Sequence, residues 1–414
     1  MALEIRQIKV EDIVFGEDTR LSGKTLLVNE KELTGFLKDK DDRIRTVAVS
    51  IARPGESTRI ICVKDVLEPQ CKISGKSPGE GSSLALKNTA VVTSGQIVGY
   101  QEGIIEMSGP GAAYSPFSRT LNIILEIGVA PEISQYEHEE TLRTAGLRAA
   151  DFLAQKAVRA EPDLVETIEQ PDPASADKNL PRIAYLYLLL SQGLLHDTYV
   201  LGRHAQEGLP RSLPLQVLRD RAIVSGNCVS ACDKNTTWHH QNNPVLQELY
   251  LRHSRDLNFV GTVLSNEPIK LAGKQESAEQ AVELIKGLEP HGVVISKEGF
   301  GNPDADLMML IRRLEKAGIR TAAISDEYAG SNGASQSLAD TTPEADAVIS
   351  TGNANEVIVL PPVEKTIGPV QDLTKLAGAY PRSLREDGSL EIEIQGIIGA
   401  TNETGAHTLR CREI

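Results

Sequence analysis

The feature that most constrains the fold is a change of hydrophobic rhythm near Arg182. Downstream of it, short apolar runs alternate with stretches of helical periodicity. The runs are Ile183–Leu190, Arg221–Ser225, Phe259–Leu264, Gly292–Ser296, Arg320–Ile324, Ala347–Ser350 and Glu356–Leu360. A continuous apolar run fits a strand covered on both faces, and a helix between successive strands makes those strands parallel. Residues 182–414 are therefore expected to form a doubly wound, mostly parallel α/β domain. Ser277-Ala-Glu-Gln280 has the capping-box pattern that opens a helix. Asn302-Pro303 reads as a capping side chain before a proline at the first helical position, and Gly318 as that helix's end.

Upstream, the pattern differs. Arg45–Ile51, Arg59–Val63 and Asn88–Thr93 are β-rich runs separated by Gly and Pro, as in the stretch from Lys72 to Ser83. No helical crossover is evident between them, so this part is expected to be an antiparallel or mixed β-rich domain. Glu137–Ala160 carries Leu142, Ala145, Ala149, Phe152, Leu153 and Ala157 on one stripe and predicts an amphipathic helix closing a domain over 1–160. Residues 161–181 are acidic and contain Pro162, Pro171, Pro173 and Pro181, which predicts a linker.

Composition excludes several functions. Lys and Arg number 43 against 57 Asp and Glu, a net charge of −14, which disfavours nucleic acid and anionic membranes as general partners. No apolar run approaches the roughly 20 residues of a membrane span. The opening Met-Ala-Leu-Glu-Ile-Arg lacks an apolar signal core, so a cytoplasmic location is expected. The five cysteines, Cys62, Cys71, Cys228, Cys232 and Cys411, are an odd, sparse set suited to reduced thiols.

In a parallel sheet, ligands sit beyond the carboxyl ends of the strands. Four clusters rich in Gly, Asn and Asp follow predicted strands: 226–240, 297–304, 326–336 and 351–356. Any one of them reads equally as a turn; four at one sheet edge point to a shared site. The first contains Gly226-Asn227-Cys228. Gly and Asn tolerate left-handed backbone, and a thiolate after such a turn can attack the preceding carbonyl. Elimination and hydrolysis would then leave a pyruvoyl group at residue 228. Spacing alone leaves other readings open. Cys228, Cys232, His239 and His240 are ligand types that zinc accepts, although Cys-x3-Cys is not the usual knuckle. A loop with buried structural histidines remains a third reading.

The string Ser225-Gly-Asn-Cys-Val-Ser-Ala-Cys-Asp-Lys-Asn-Thr-Thr-Trp-His-His-Gln-Asn-Asn-Pro244 resembles the component B proprotein of the anaerobic glycine/sarcosine/betaine reductases. The likeness continues through Asp256–Phe259, Glu298–Asp304, Asp326–Gly330, Gly333–Asp340, Gly352–Val357 and Ala400–Gly405. The resemblance implies self-cleavage between Asn227 and Cys228, and a pyruvoyl cofactor derived from Cys228 that binds the substrate amine as an imine. It also implies a selenocysteine-containing partner subunit of component B, with selenoprotein A and the acetyl-phosphate-forming component C beyond it. The substrate would be a small amino acid: glycine, sarcosine or betaine. Betaine's quaternary nitrogen cannot form an imine, so a betaine-type subunit would leave the carbonyl unused.

Within this reading, His239, His240, Asp233 and Lys234 are candidate proton carriers, one histidine being preferred because imidazole titrates near neutral pH. Glu298, Asn302, Asp326, Gln336, Asn353 and Asn355 are candidate substrate-binding residues, and Glu327 a further acid. Trp238, the only tryptophan, reads either as a packing residue or as a cation–π wall for a methylated ammonium. No metal is required. The alternatives are an unprocessed scaffold subunit of the same complex and a zinc-bound loop in an unrelated α/β protein.

Overall fold

The computed structural model describes residues 2–99, 101–226, 231–369 and 373–405. Asn227, Cys228 and Cys411 lie outside the described residues. The architecture is mixed α/β. In the N-terminal part, Leu3–Lys9 runs between Leu164–Ile168 and Gly81–Lys87 in a four-stranded sheet that Gln70–Ser74 completes. A six-stranded sheet holds Gly103–Glu106, Thr58–Leu67, Thr89–Ser94, Leu121–Val129 and Ile44–Ala52 in that order, with Lys365–Ile367 added beside Thr58–Leu67. Its pairings are both parallel and antiparallel. Every residue of Thr58–Leu67 is buried, and its interior position matters for the site described below.

The long helix covers Gln135–Gln155, with Leu142, Ala145, Ala149, Phe152 and Leu153 buried in the core shared with the Ile44–Ala52 and Leu121–Val129 strands. It opens before Glu137 because Ser134 and Glu137 form a capping box. The N-terminal part also contains a helix, Glu30–Lys40, where the sequence analysis expected strands and turns. Asn29 caps it by accepting from the Glu32 N–H, and Leu33 and Leu37 are its buried face. So short a stripe carries too little periodicity to be found from sequence.

In the C-terminal part, the sheet order is Arg211–Ser212, Asn258–Asn266, Arg182–Leu189, Gly292–Lys297, Arg320–Glu327 and Val348–Asn353. All pairings are parallel except that of the short Arg211–Ser212 strand. The 182–189 strand is covered on both faces. Tyr185, Tyr187 and Leu189 face Leu246 and Leu249 of the Pro244–Arg252 helix. Ala184, Leu186 and Leu188 face the Leu271–Gly287 and Asn302–Lys316 helices. The chain leaves the 182–189 strand towards one neighbour and returns on its other side, so the direction of winding reverses there. In sheets of this kind, ligands gather at such a switch point, beyond the strand carboxyl ends.

Two helix starts differ from expectation. The Leu271–Gly287 helix begins well before Ser277. Ser277 is a buried interior residue whose Oγ donates to Asn266 Oδ1 at 2.7 Å, and a tertiary hydrogen bond has replaced the local cap that its sequence context suggested. Asn302 lies inside its helix. Gly301, at φ 81°, is the N-cap and offers no capping side chain, a backbone conformation open chiefly to glycine.

Candidate functional site

The candidate site is built from four strand ends and two returning loops. Past the 182–189 strand, the Leu190 N–H donates to Glu298 Oε2 at 2.7 Å. Past the 258–266 strand, Glu267 is fully buried and its N–H donates to Ser191 Oγ at 2.9 Å. Past the 292–297 strand come Lys297 and Glu298. Lys297 is fully buried and its Nζ donates to Asp304 Oδ1 at 2.6 Å. Asp304 also accepts the Ala339 N–H at 2.7 Å, so the pair ties the Asn302–Lys316 helix to the following loop. Asp326, near the end of the 320–327 strand, accepts from Thr401 Oγ1 at 3.2 Å.

The loop 231–241 lies across these ends and is almost entirely buried. Cys232 Sγ lies 3.9 Å from Asp233 Oδ1, 4.0 Å from Asp326 Oδ2 and 3.5 Å from the Tyr328 hydroxyl. The Asn235 N–H donates to Glu298 Oε1 at 3.1 Å, and its side-chain amide donates to the Tyr187 hydroxyl at 2.7 Å and to Glu403. Asn402 closes the ring by donating to Asn235 Oδ1 at 2.5 Å. Thr236 caps the short Thr237–Gln241 helix, and His239 Nδ1 accepts the Thr236 N–H at 3.1 Å. His240 Nδ1 pairs with the Tyr187 hydroxyl at 2.9 Å, and its Nε2 lies 3.8 Å from Glu298. The N-terminal sheet supplies a wall: Asp65 of the 58–67 strand accepts from the Thr237 N–H at 2.8 Å and its hydroxyl at 2.6 Å.

Acid dominates this interior, and burial disfavours its ionisation. Glu298 is pushed up to about 8, chiefly by burial. Asp326 and Glu403 are pushed well above the carboxylate range by burial and by the neighbouring acids, Asp233 first for Asp326 and Glu298 first for Glu403. Glu267 is raised in the same way, by burial and then by Asp306 and Glu298. Burial and mutual repulsion thus favour the protonated form of each of these carboxyls. Burial drives His240 the other way, well below its ordinary value. It is therefore a neutral imidazole, and the expectation that a histidine of this pair titrates near neutral pH does not hold for His240.

The structure thus brings Asp233, His240, Glu298 and Asp326 into one buried network. Asn302 stands at its edge, its carbonyl accepting from Lys274 at 3.1 Å. Asn353 and Asn355 serve the outer loop: they accept the Ala329 and Gly330 N–H groups at 3.0 and 3.1 Å. Gln336 is exposed on that loop, and Glu327 is half-buried. Trp238 is half-buried with its ring edge on Phe117, 5.3 Å between centroids. Among the described residues, Cys232, Asp233 and Asp326 are the one group placed to share a metal ion, which is not the Cys/His set of the zinc reading. Asn235 and Asp304 lie within the strand-end clusters and Asn402 and Glu403 within the Ala400–Gly405 string, yet nothing local distinguishes them there as site residues. Tyr187 and Glu267 lie outside the clusters and the strings.

These features define an α/β protein with a buried, acid-rich site at the carboxyl edge of a parallel sheet. The chain belongs to the family of glycine/sarcosine/betaine reductase component B subunits, whose description matches residues 1–412. It is 47% identical over 420 residues to the glycine reductase complex component B subunits alpha and beta of Peptoclostridium acidaminophilum, covering 98% of each chain. It is 45% identical over 429 residues to the protein of the same name from Acetoanaerobium sticklandii, covering 100% of each. To the sarcosine reductase complex component B subunit alpha of P. acidaminophilum it is 42% identical over 427 residues, again covering 100% of each. No solved structure matches the chain. The protein is accordingly a component B subunit of a multi-component reductase. No helix among the described residues is long and apolar enough to cross a membrane.

Proposed function

We propose that this chain is cut between Asn227 and Cys228 and activates the amine of a small amino acid through a pyruvoyl group at residue 228. The observation that carries the reading is the placement of the two flanks. Gly226 accepts from the buried Lys234, and Ala231 leads directly into Cys232 and Asp233 in the acid-rich site. The two flanking residues, Gly226 and Ala231, are thus both fixed by hydrogen bonds, Ala231 next to the acid-rich site. The names of the relatives support the cut, since full-length matches to one chain are called subunits alpha and beta.

The cleavage balances without an external oxidant or reductant. The Cys228 sulfur bonds to the Asn227 carbonyl carbon, the peptide C–N bond breaks, and the thiol proton passes to the released nitrogen. Loss of the residue-228 Cα proton then breaks Cβ–S, leaving the upstream chain as a thiocarboxylate that water converts to carboxylate and hydrogen sulfide. The remaining enamine takes up water, loses ammonia and becomes the pyruvoyl group. That carbonyl supplies an electrophile that captures an amine and draws electrons from its C–N bond.

The residues present fit this group. Glu298, Asp326 and Glu403, whose burial favours the protonated form, are candidate acids for proton transfer at nitrogen. On ionising, these carboxyls would also balance a substrate ammonium, and the Asn235 and Asn402 amides hold the network in place. A primary or secondary amine is required, which favours glycine or sarcosine over betaine. The nucleophile that displaces the activated amine comes from a selenocysteine-containing partner subunit, with selenoprotein A and component C downstream, in the cytoplasm. Intact-mass measurement of protein purified without oxygen tests the reading. The expected result is two fragments, residues 1–227 and 228–414, the second lacking sulfur and amine at its first residue and reactive with a hydrazine. A single full-length chain from the native host overturns it.

A further inference from the structure

We propose that Lys234 is a positioning residue for this cut, holding the peptide upstream of Asn227 through the Gly226 carbonyl. The inference rests on the cleavage reading above and adds to it the group that sets the geometry.

Lys234 is 3% exposed, yet among the described residues both hydrogen bonds of its Nζ go to main-chain carbonyls and not to carboxylates. One acceptor is Gly226 O, at 3.2 Å; the other is Lys64 O, on the 58–67 strand. Burying an ammonium is costly unless it is compensated. Here Asp65 and Asp197 act on it electrostatically, while its hydrogen bonds are reserved for the backbone. Simple packing at this position would be met by an apolar side chain.

Gly226 is held from every side. Its N–H donates to Asp197 O at 2.7 Å, its C=O accepts from Lys234, and a Cβ there would lie 2.2 Å from His196 O. The peptide that enters the segment is thus clamped between the 198–200 hairpin region and the N-terminal sheet. At the other end, Ala231 O accepts the Gly399 N–H at 3.0 Å. Attack by a thiol on the adjacent carbonyl needs the reacting atoms about 3–3.5 Å apart, and a displacement of about 1 Å costs on the order of 100-fold in rate. The Lys234 ammonium is the one side-chain tie on the Gly226 carbonyl among the described residues, one peptide unit before the carbonyl that is attacked.

The test is anaerobic cell-free synthesis of the full chain, following conversion to fragments by intact mass, for the parent and for Lys234→Arg, Lys234→Gln and Lys234→Met, with melting temperatures measured alongside. The expected cleavage rates fall in the order parent, Arg, Gln, Met, with Lys234→Met about 100-fold slower, and Lys234→Arg recovering part of the loss because it also donates to two carbonyls. Folding of Lys234→Arg and Lys234→Gln should be retained, so the proposal does not depend on the methionine variant. Equal rates for Lys234→Met and the parent overturn it, as do equal rates for Lys234→Arg and Lys234→Met. Failure of all three variants to fold also overturns it, since the residue is then required for folding and not for the cut. An uncut parent is a distinct outcome, which removes the cleavage reading and this one together.

Discussion

Two buried charge groups in this protein are built on opposite plans. In the N-terminal sheet, Arg59 and Glu106 are 3% and 1% exposed and pair with each other, and the guanidinium also donates to Pro361 O at 2.9 Å. One cation meets one anion, and the pair joins two strands and the returning chain. At the carboxyl edge of the C-terminal sheet, Lys297 answers Asp304, but Glu298, Asp326, Glu403 and Glu267 crowd the same interior. A structural pair neutralises itself. In the acid-rich interior, burial and mutual repulsion favour protonation instead, which suits the acids to give up protons or to balance a cation. That difference separates a fastening from a reactive site.

The comparison fails most sharply at Cys228. Cys228→Ala should abolish the two-fragment pattern on denaturing gels while leaving the circular dichroism unchanged, and Cys228→Ser should cleave more slowly, because a hydroxyl forms the corresponding ester. Normal cleavage of the alanine variant would place the nucleophile elsewhere.

Next in size are Arg59→Met and Lys297→Met. Each strands a buried acid, so each should lower stability by about 3–5 kcal/mol in denaturant titrations. Only Lys297→Met should also reduce reductase turnover per folded molecule when the complex is assembled. Equal loss of turnover in both would erase the distinction between fastening and site.

The protonated carboxyls make a pH prediction. Glu298 sits at about 8 in the folded chain against 4.5 when solvated. Between these values the folded protein holds a proton that the unfolded chain has released, so stability falls as pH rises through the window and levels off above it. Asp197, raised to about 7, and Asp65, raised to about 6, act in the same direction. Melting temperature should therefore drop from pH 5 to pH 8, and Glu298→Gln, which carries no ionisable proton, should show a shallower slope. Parallel slopes would mean that Glu298 is ionised in the folded state.

The smallest effect is expected outside the acid-rich interior. Asn355 accepts the Gly330 N–H at 3.1 Å and donates to Glu393 at 3.2 Å, and Asn355→Ala should cost about 1 kcal/mol with turnover nearly intact. A large loss of turnover would move this loop into the site.

Local patterns located the five parallel strands of the C-terminal sheet within a few residues, the interior ones because strands buried on both faces leave continuous apolar runs. They missed Arg211–Ser212, and the expected strands at Arg221–Ser225 and Glu356–Leu360 form but pair in smaller sheets. They also misplaced the helix starts at Ser277 and Asn302, where capping-type residues make tertiary hydrogen bonds instead. The rule that ligands gather at strand carboxyl ends drew attention to Asp233, Glu298 and Asp326. It could not separate them from Gln336, Asn353 and Asn355, which follow strands equally well but fasten or decorate the outer loop.

What the sequence determined by itself was the parallel α/β class, the Gly226-Asn227-Cys228 motif and the family likeness, all properties of residues adjacent in the chain. What only the tertiary structure decided was the electrical character of the site. Glu403, Glu267, Asn235, Tyr187 and Asp65 belong to segments far apart in sequence, and their effect on one another arises when folding removes water from between them. Charge is screened along an extended chain and strongly felt in a buried interior. Carboxyl groups that the sequence offers only as polar residues near strand ends or in distant segments therefore meet in one interior, where burial favours their protonated form.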